Sequence, residues 1–306
     1  MRSRRVVRGE PGELVVGLER RMAQRRDVPV DPTRRTLYTP GELYDAAAYD
    51  DTLDARAYRW AAAPRTPEAA LCRALHDHAI DVALERWIGH RRLVGVMGGH
   101  GIERDEPAYA DAARLGALLG ASHVVATGGG PGAMEAANLG GYLSGRPDAL
   151  EEALALLATV PTFRPSVDAW ARVALELLAQ HPDGAPGLGI PTWHYGHEPP
   201  NVFATAIAKY FRNSQREAIL LEVCDAGIVF LPGLAGTVQE VFQDACENFY
   251  AAESAVAPMV LVGATYWTRT LPAWPLLQAL ARGRAMERHV HLVESVDEAA
   301  ELISAT

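Results

Sequence analysis

Lysine is almost missing from this chain. Of its 29 basic residues only Lys209 is a lysine, and the other 28 are arginine. That scarcity removes two chemistries. A P-loop places a lysine straight after its glycine loop to reach the outer phosphates, and Lys209 has no such context. A pyridoxal-phosphate enzyme needs a Schiff-base lysine, a role for which Lys209 would be the sole candidate. Cysteine is scarce as well. Cys72, Cys224 and Cys246 are far apart and odd in number, giving neither metal-ligand spacing nor a disulfide framework, so three reduced thiols are expected. No apolar run reaches the roughly 18 residues needed to span a bilayer. Met1 is followed by Arg2, Ser3, Arg4 and Arg5, without the apolar segment of a secretory leader. The expectation is a cytosolic protein that does not use a membrane.

What is present is an ordinary globular mixture over 306 residues, 49% hydrophobic and 22% charged, too apolar for a disordered chain. A net charge of −9 argues against a whole-surface nucleic-acid footprint. The charge is uneven, because residues 1–35 hold ten arginines against five acids (+5), leaving −14 for the remainder. This basic arm reads as a solvated N-terminus, with contact to RNA or a partner subunit as the alternative.

Residues 1–90 read as an irregular lead-in, turn-rich over Pro29–Pro40, followed by a helix. Over Pro67–Ile88 the apolar residues Leu71, Leu75, Ile80, Leu84 and Trp87 recur at helical spacing. From Arg92 onward short apolar runs alternate with amphipathic segments. Strands are expected at Leu93–Met97, His123–Thr127, Gly189–Trp193, Ala226–Leu231, Pro258–Gly263 and Val290–Val293. Helices are expected at Pro107–Leu119, Ala133–Leu143, Val202–Val223, Thr237–Tyr250, Leu271–Ala281 and Val296–Ile303. Residues 145–187 resemble an insertion with one helix, Val167–Ala179. The alternation predicts an α/β fold, a doubly wound, mostly parallel Rossmann-like sheet with helices on both faces. Residues 91–306 form that nucleotide-binding domain, and residues 1–90 form a helical N-terminal extension.

In such a sheet, ligands bind beyond the carboxyl ends of the strands, where loops lead into helix N-termini. Three glycine-rich turns fall at such ends: Gly98-Gly99-His100-Gly101, Gly128-Gly129-Gly130-Pro131-Gly132 and Pro232-Gly233-Leu234-Ala235-Gly236. Glycine lets backbone N–H groups approach an anion, and each helix N-terminus favours negative charge. One such turn is explained by tight chain reversal, but three on one edge point to a phosphate-bearing ligand. None fits G-x-G-x-x-G cleanly, which favours a mononucleotide over a dinucleotide cofactor. Thr237-Val238-Gln239-Glu240 reads as a capping box or as a catalytic first turn, and spacing alone leaves both open. Ser295-Val296-Asp297-Glu298 repeats the pattern without a glycine loop and serves as an internal control. Lys209, Arg212 and Arg216 share one face of the expected long helix, as a solvated basic stripe or as an anion-binding one. His194-Tyr195-Gly196-His197-Glu198 has the composition of a metal site, but Gly196 and Pro199-Pro200 make it a loop, and no metal is expected.

Two of these stretches resemble a known family. Thr127 to Asn138, which includes Gly128, Gly129, Gly130, Gly132, Met134, Glu135 and Asn138, resembles the first signature of the LOG family. These are Rossmann-fold nucleotide phosphoribohydrolases often labelled "lysine decarboxylase". Pro232 to Glu240 resembles the second signature, P-G-G-x-G-T-x-x-E. The resemblance covers about residues 92–295 and leaves out the first ninety residues and the insertion. It implies hydrolysis of the N-glycosidic bond of a nucleoside 5′-monophosphate, AMP or an N6-modified AMP, to free base and ribose 5-phosphate, without a cofactor. It places the motif glutamate on Glu240, the catalytic arginine on Arg216, and phosphate binding on Gly233, Gly236 and Thr237. Signature residues of the first motif belong to the expected substrate site, and the glycine-turn and basic-face readings add Gly98, Gly99 and Arg212 to it. It also implies a homodimer or larger homo-oligomer. The chain departs from the family at Leu234, where a glycine is usual, and at Glu217, where a lysine usually follows the arginine. The spacing from Asp225 to Pro232 is one residue longer than usual. A nucleotide-binding carrier or sensor of the same fold is the alternative function.

Overall fold

The computed structural model describes residues 28–64, 66–194 and 198–305. Most of the basic arm and the centre of the His194–Glu198 loop lie outside the described residues. Seven strands form one sheet: β1 (Leu93–Met97), β2 (Val124–Thr127), β3 (Leu188–Gly189), β4 (Ala206–Ile207), β5 (Ile228–Phe230), β6 (Met259–Val262) and β7 (Val290–Val293). Their order is β4-β3-β2-β1-β5-β6-β7, and every neighbouring pair is parallel. In chain order the helices are α1 (Pro40–Leu43), α2 (Leu53–Ala62), α3 (Pro67–Ile88), α4 (Pro107–Leu119), α5 (Ala133–Tyr142) and α6 (Pro147–Leu157). They continue with α7 (Val167–Gln180), α8 (Asn213–Glu222), α9 (Ala235–Tyr250), α10 (Trp274–Ala281) and α11 (Val296–Ser304). The chain is a doubly wound α/β fold of the Rossmann-like kind. Among the described residues no helix is long and apolar enough to cross a membrane.

β1 shows why these strands read as continuous apolar runs. All five of its residues are buried, because helices cover both faces of a parallel sheet. Leu93 and Met97 join one core with Ile80, Leu220 and Phe230. Val94 and Val96 join the opposite core with Leu115, Leu139 and Ala299. The first core also holds Leu43, Ala57 and Leu84, so α1, α2 and α3 pack into the same layer as α8 and α9. The Tyr38 backbone exchanges two 2.9 Å hydrogen bonds with Ile207. The residues before α1 thereby cover the β4 edge, which would otherwise be open to pairing.

Several elements differ from the sequence expectation. The long helix over Val202–Val223 does not exist: β4 occupies its first half and α8 begins only at Asn213. A short apolar run is ambiguous between helix and strand, and here pairing decides. Ile207 bonds Tyr38 on one side, while Ala206 N and Ala208 N donate to Gly187 O and Gly189 O of the neighbouring segment. The insertion holds two helices, not one; α6 has Pro147 in its first turn and buries Leu150, Ala153 and Leu157. β3 ends at Gly189 instead of Trp193, and the helix expected from Leu271 starts at Trp274.

The shared face of Lys209, Arg212 and Arg216 disappears with the long helix. Lys209 lies before α8 with its Nζ 2.6 Å from Asp54 Oδ1, and the two side chains are 1% and 0% exposed. The Asp54 carboxylate also accepts from Trp193 Nε1 (2.7 Å) and Tyr49 OH (2.6 Å). Burial pushes the Lys209 ammonium below the usual lysine value, and Asp54 opposes that push. The sole lysine therefore joins α2 to the segment between β4 and α8.

α4 and α5 approach so closely that glycine is required where they touch. A Cβ on Gly140 would lie 1.8 Å from Ala113 O, and one on Gly116 would lie 2.1 Å from Ala137 O. Gly140→Ala must force the helices apart and is expected to lower stability by about 1–3 kcal/mol, read as a lower midpoint in urea unfolding. An unchanged midpoint would show that the two helices separate without cost.

Candidate functional site

The chain winds outward from β1 through β2 and β3 to β4, then returns to β5 beside β1 and winds the other way. The switch point lies between β1 and β5, and open α/β sheets take ligands in the crevice beyond the carboxyl ends of such strands. The glycine turns leaving β1, β2 and β5 meet there. Gly99 N donates to Pro232 O at 3.2 Å, and Ala133 N donates to Gly99 O at 3.1 Å. A Cβ on Gly132, whose φ is +71°, would fall 2.6 Å from Gly99 O. A Cβ on Gly233 would fall 2.2 Å from Thr237 Oγ1 and 3.2 Å from Gly99 N. Backbone contact between turns is thus possible only without side chains at these positions.

The four-residue pattern at Thr237 is not a capping box. α9 begins at Ala235, two residues earlier than expected, and its cap residue Leu234 makes no side-chain capping bond. Thr237 is buried in the first turn against Gly233, and Glu240 lies a turn further on. At the control position Ser295 is a true cap, its Oγ accepting from Glu298 N at 3.2 Å. The same residue pattern therefore diverges, because the glycine turn starts α9 early. Among the described residues no side chain caps the start of α9, an arrangement that can receive an anion.

Glu240 pairs with Arg216. Their Oε1 and Nη1 are 3.6 Å apart, and the side chains are 14% and 13% exposed. Arg216 is held from behind: Nε donates to Ile190 O at 2.6 Å and Nη2 to Gly128 O at 3.4 Å. A Cβ on Gly128 would lie 2.3 Å from Arg216 Nη2 and 2.7 Å from Met134 Sδ, so this glycine makes room for both side chains. Burial raises the Glu240 carboxyl to about 7; Arg216 opposes the rise and Glu217 adds to it. Glu217 is fixed beside the pair, accepting from Asn213 Nδ2 at 2.5 Å and Gln239 Nε2 at 2.7 Å.

The remaining predicted residues divide. Gly98, Gly99, Gly128, Gly129, Gly130, Gly132, Met134, Gly233 and Thr237 belong to the converging turns or pack on them. Gly236 is exposed, with nothing within 4 Å of its Cβ position. Glu135 turns away into a buried ion pair, with Arg104 Nε donating to its Oε2 at 3.1 Å. Asn138 is fully buried, accepting from Thr127 Oγ1 at 2.7 Å and Asn201 Nδ2 at 3.1 Å. Arg212 is exposed at the cap position of α8 and lines a groove of about 790 Å³ between α3 and α8. That groove lies beside the Arg216–Glu240 pair without including either residue in its lining. Among the described residues no group of histidine, cysteine and carboxylate side chains is arranged to hold a metal ion.

Sequence reasoning missed what starts α8. Asp77 of α3 accepts from Phe211 N and Arg212 N, both at 3.0 Å. Asp81 accepts from Tyr210 OH (2.9 Å) and Gln215 Nε2 (2.7 Å). Spacing of four places both acids on one face of α3, but nothing in the sequence said which amides they would meet.

The Glu240 carboxyl is expected to titrate with a midpoint of about 7, as followed by carbon-13 NMR. Glu217→Gln removes a like charge and moves that midpoint down. Between the ordinary carboxyl value of 4.5 and about 7, the native state holds a proton that the unfolded chain has released. This group's contribution to stability therefore falls as pH rises through that window. A midpoint near 4.5 in the wild type would mean that water reaches the pair.

No family model matches the chain, and no curated protein matches it. Among solved structures it is similar to the molybdenum cofactor binding protein from the phototrophic bacterium Rippkaea orientalis, at 19% identity and a TM-score of 0.42, covering 71% of this chain and 98% of that one. It is also similar to the molybdenum cofactor carrier protein from Chlamydomonas reinhardtii, at 18% identity and a TM-score of 0.41, covering 71% of this chain and 98% of that one.

Proposed function

We propose that this chain hydrolyses the N-glycosidic bond of a nucleoside 5′-monophosphate, AMP or N6-modified AMP foremost, releasing the base and ribose 5-phosphate. The observation that carries this reading is the largely buried Arg216–Glu240 pair beside the converging glycine turns. Glycoside cleavage passes through an oxocarbenium-like sugar, which a nearby carboxylate stabilises while it accepts a proton from the attacking water. A carboxyl near 7 is suited to that exchange at neutral pH. The phosphate is received by the uncapped first turn of α9 with Gly233 and Thr237, and Arg216 holds ribose and phosphate in place.

The departures from the LOG pattern at Leu234 and Glu217 are compatible with this chemistry. Leu234 is 74% exposed, so its side chain stands outside the turn and does not fill it. Glu217 is tied to Asn213 and Gln239, and its charge favours a high carboxyl value on Glu240. The reading also includes a homodimer or larger homo-oligomer. Tyr250, 81% exposed at the end of α9, is an aromatic surface that a second copy would cover. Light scattering is expected to return at least twice the 33.0 kDa chain mass, and a monomer at micromolar concentration would remove this part of the reading.

Purified protein incubated with AMP is expected to release adenine and ribose 5-phosphate, separated by chromatography. Glu240→Gln should lower turnover by about 100-fold or more while AMP binding, measured by calorimetry, stays within a few-fold. Unchanged turnover in the variant would remove Glu240 from the mechanism. Tight binding without base release from AMP, GMP, CMP or N6-modified AMP would instead identify a nucleotide carrier or sensor.

A further inference from the structure

Departure of the base needs a proton, and neither Arg216 nor Glu240 supplies one in the scheme above. His100, the one side chain of substance in the β1 turn, lines a small recess with Pro131, Gly132 and Glu135 at the far end of the Gly128–Gly132 turn. Its Nδ1 is 3.6 Å from Glu198 Oε1, and the two side chains are 61% and 38% exposed. The pair straddles the Gly128–Gly132 turn. Glu198 Oε2 is 3.5 Å from the Cβ position of Gly130, and the His100 carbonyl oxygen is 2.8 Å from that of Gly132. Arg216 touches the other end of the same turn, at Gly128 O. An acid and a base that flank one scissile bond are what glycoside hydrolysis requires. Neither His100 nor Glu198 is buried, so neither is needed to fill the core.

We infer that His100 is the proton donor to the leaving base, oriented by Glu198; this rests on the hydrolase reading. In the step, the C1′–N bond breaks and its electron pair passes to the base. The Nε2 proton of His100 moves to a ring nitrogen of that base. A water oxygen bonds to C1′, and the proton it loses goes to Glu240. The products are the neutral free base and ribose 5-phosphate, and solvent afterwards returns a proton to His100 and removes one from Glu240. Glu198 is a positioning residue that holds Nδ1 and leaves Nε2 for the substrate.

The test compares leaving groups. A purine nucleotide is set against its N7-methylated form and against 4-nitrophenyl ribofuranoside 5-phosphate, whose leaving groups depart without needing a proton. His100→Gln is expected to lower kcat on the ordinary nucleotide by about 100-fold or more and to change it by less than about five-fold on the activated substrates. Glu198→Gln should follow the same selectivity with a smaller loss. Added imidazole should restore base release from AMP to His100→Ala. Equal losses on both substrate classes, or no rescue by imidazole, would overturn the assignment and leave the hydrolase reading standing. A wild type that releases base from none of these substrates would overturn both.

Discussion

The start of α8 depends on one buried carboxylate. Asp77 accepts from two consecutive backbone amides, Phe211 N just before the cap of α8 and Arg212 N at the cap itself, and so fixes the backbone where the helix begins. Arg216 stands one turn into that helix, and the direction in which its guanidinium leaves α8 follows from where the helix begins. The acid that fixes this point belongs to α3, outside the part of the chain that resembles an enzyme family. Asp81 and the Lys209–Asp54 pair add two more links between the N-terminal helices and the same segment. A buried ion pair costs solvation and contributes little net stability, but breaking one side of it is severe. The extension is therefore part of the site's support.

Desolvation explains how the candidate site is tuned. Glu240 faces a guanidinium whose other nitrogens are engaged by the carbonyl oxygens of Ile190 and Gly128. Arg216 is shared among three acceptors, and at 3.6 Å it only partly offsets the burial of the carboxyl. Glu217, where the resembled family has lysine, adds negative charge and pushes the same way. Glycine at 128 makes this geometry possible, because any side chain there would collide with Arg216.

Some of this was legible from residue order alone. The bounds of α3, α4, β1 and β7 follow directly from apolar periodicity and proline at the first helical turn. The alternation of strands and helices determined the doubly wound fold, since parallel strands need crossovers and crossovers cover both faces. The close meeting of the glycine turns at one edge was legible for the same local reason, that only glycine permits such close backbone approach. Thr237 and Ser295 show the limit: one four-residue pattern caps a helix at Ser295 and does not at Thr237, because the preceding chain begins each helix at a different point.

What the sequence by itself determined is the layer order, the parallel sheet and the edge that carries the turns, all properties of local periodicity and backbone freedom. Only the tertiary structure decided which polar groups face one another. It turned the first half of an expected helix into β4, sent Lys209 to Asp54 and Glu135 to Arg104, and buried Asn138 between β2 and the Asn201 loop. It also brought Glu240 to Arg216 and His100 to Glu198. Apart from the exposed His100–Glu198 pair, burial forces each of these polar groups to find an acceptor or donor wherever the packed sheet places one.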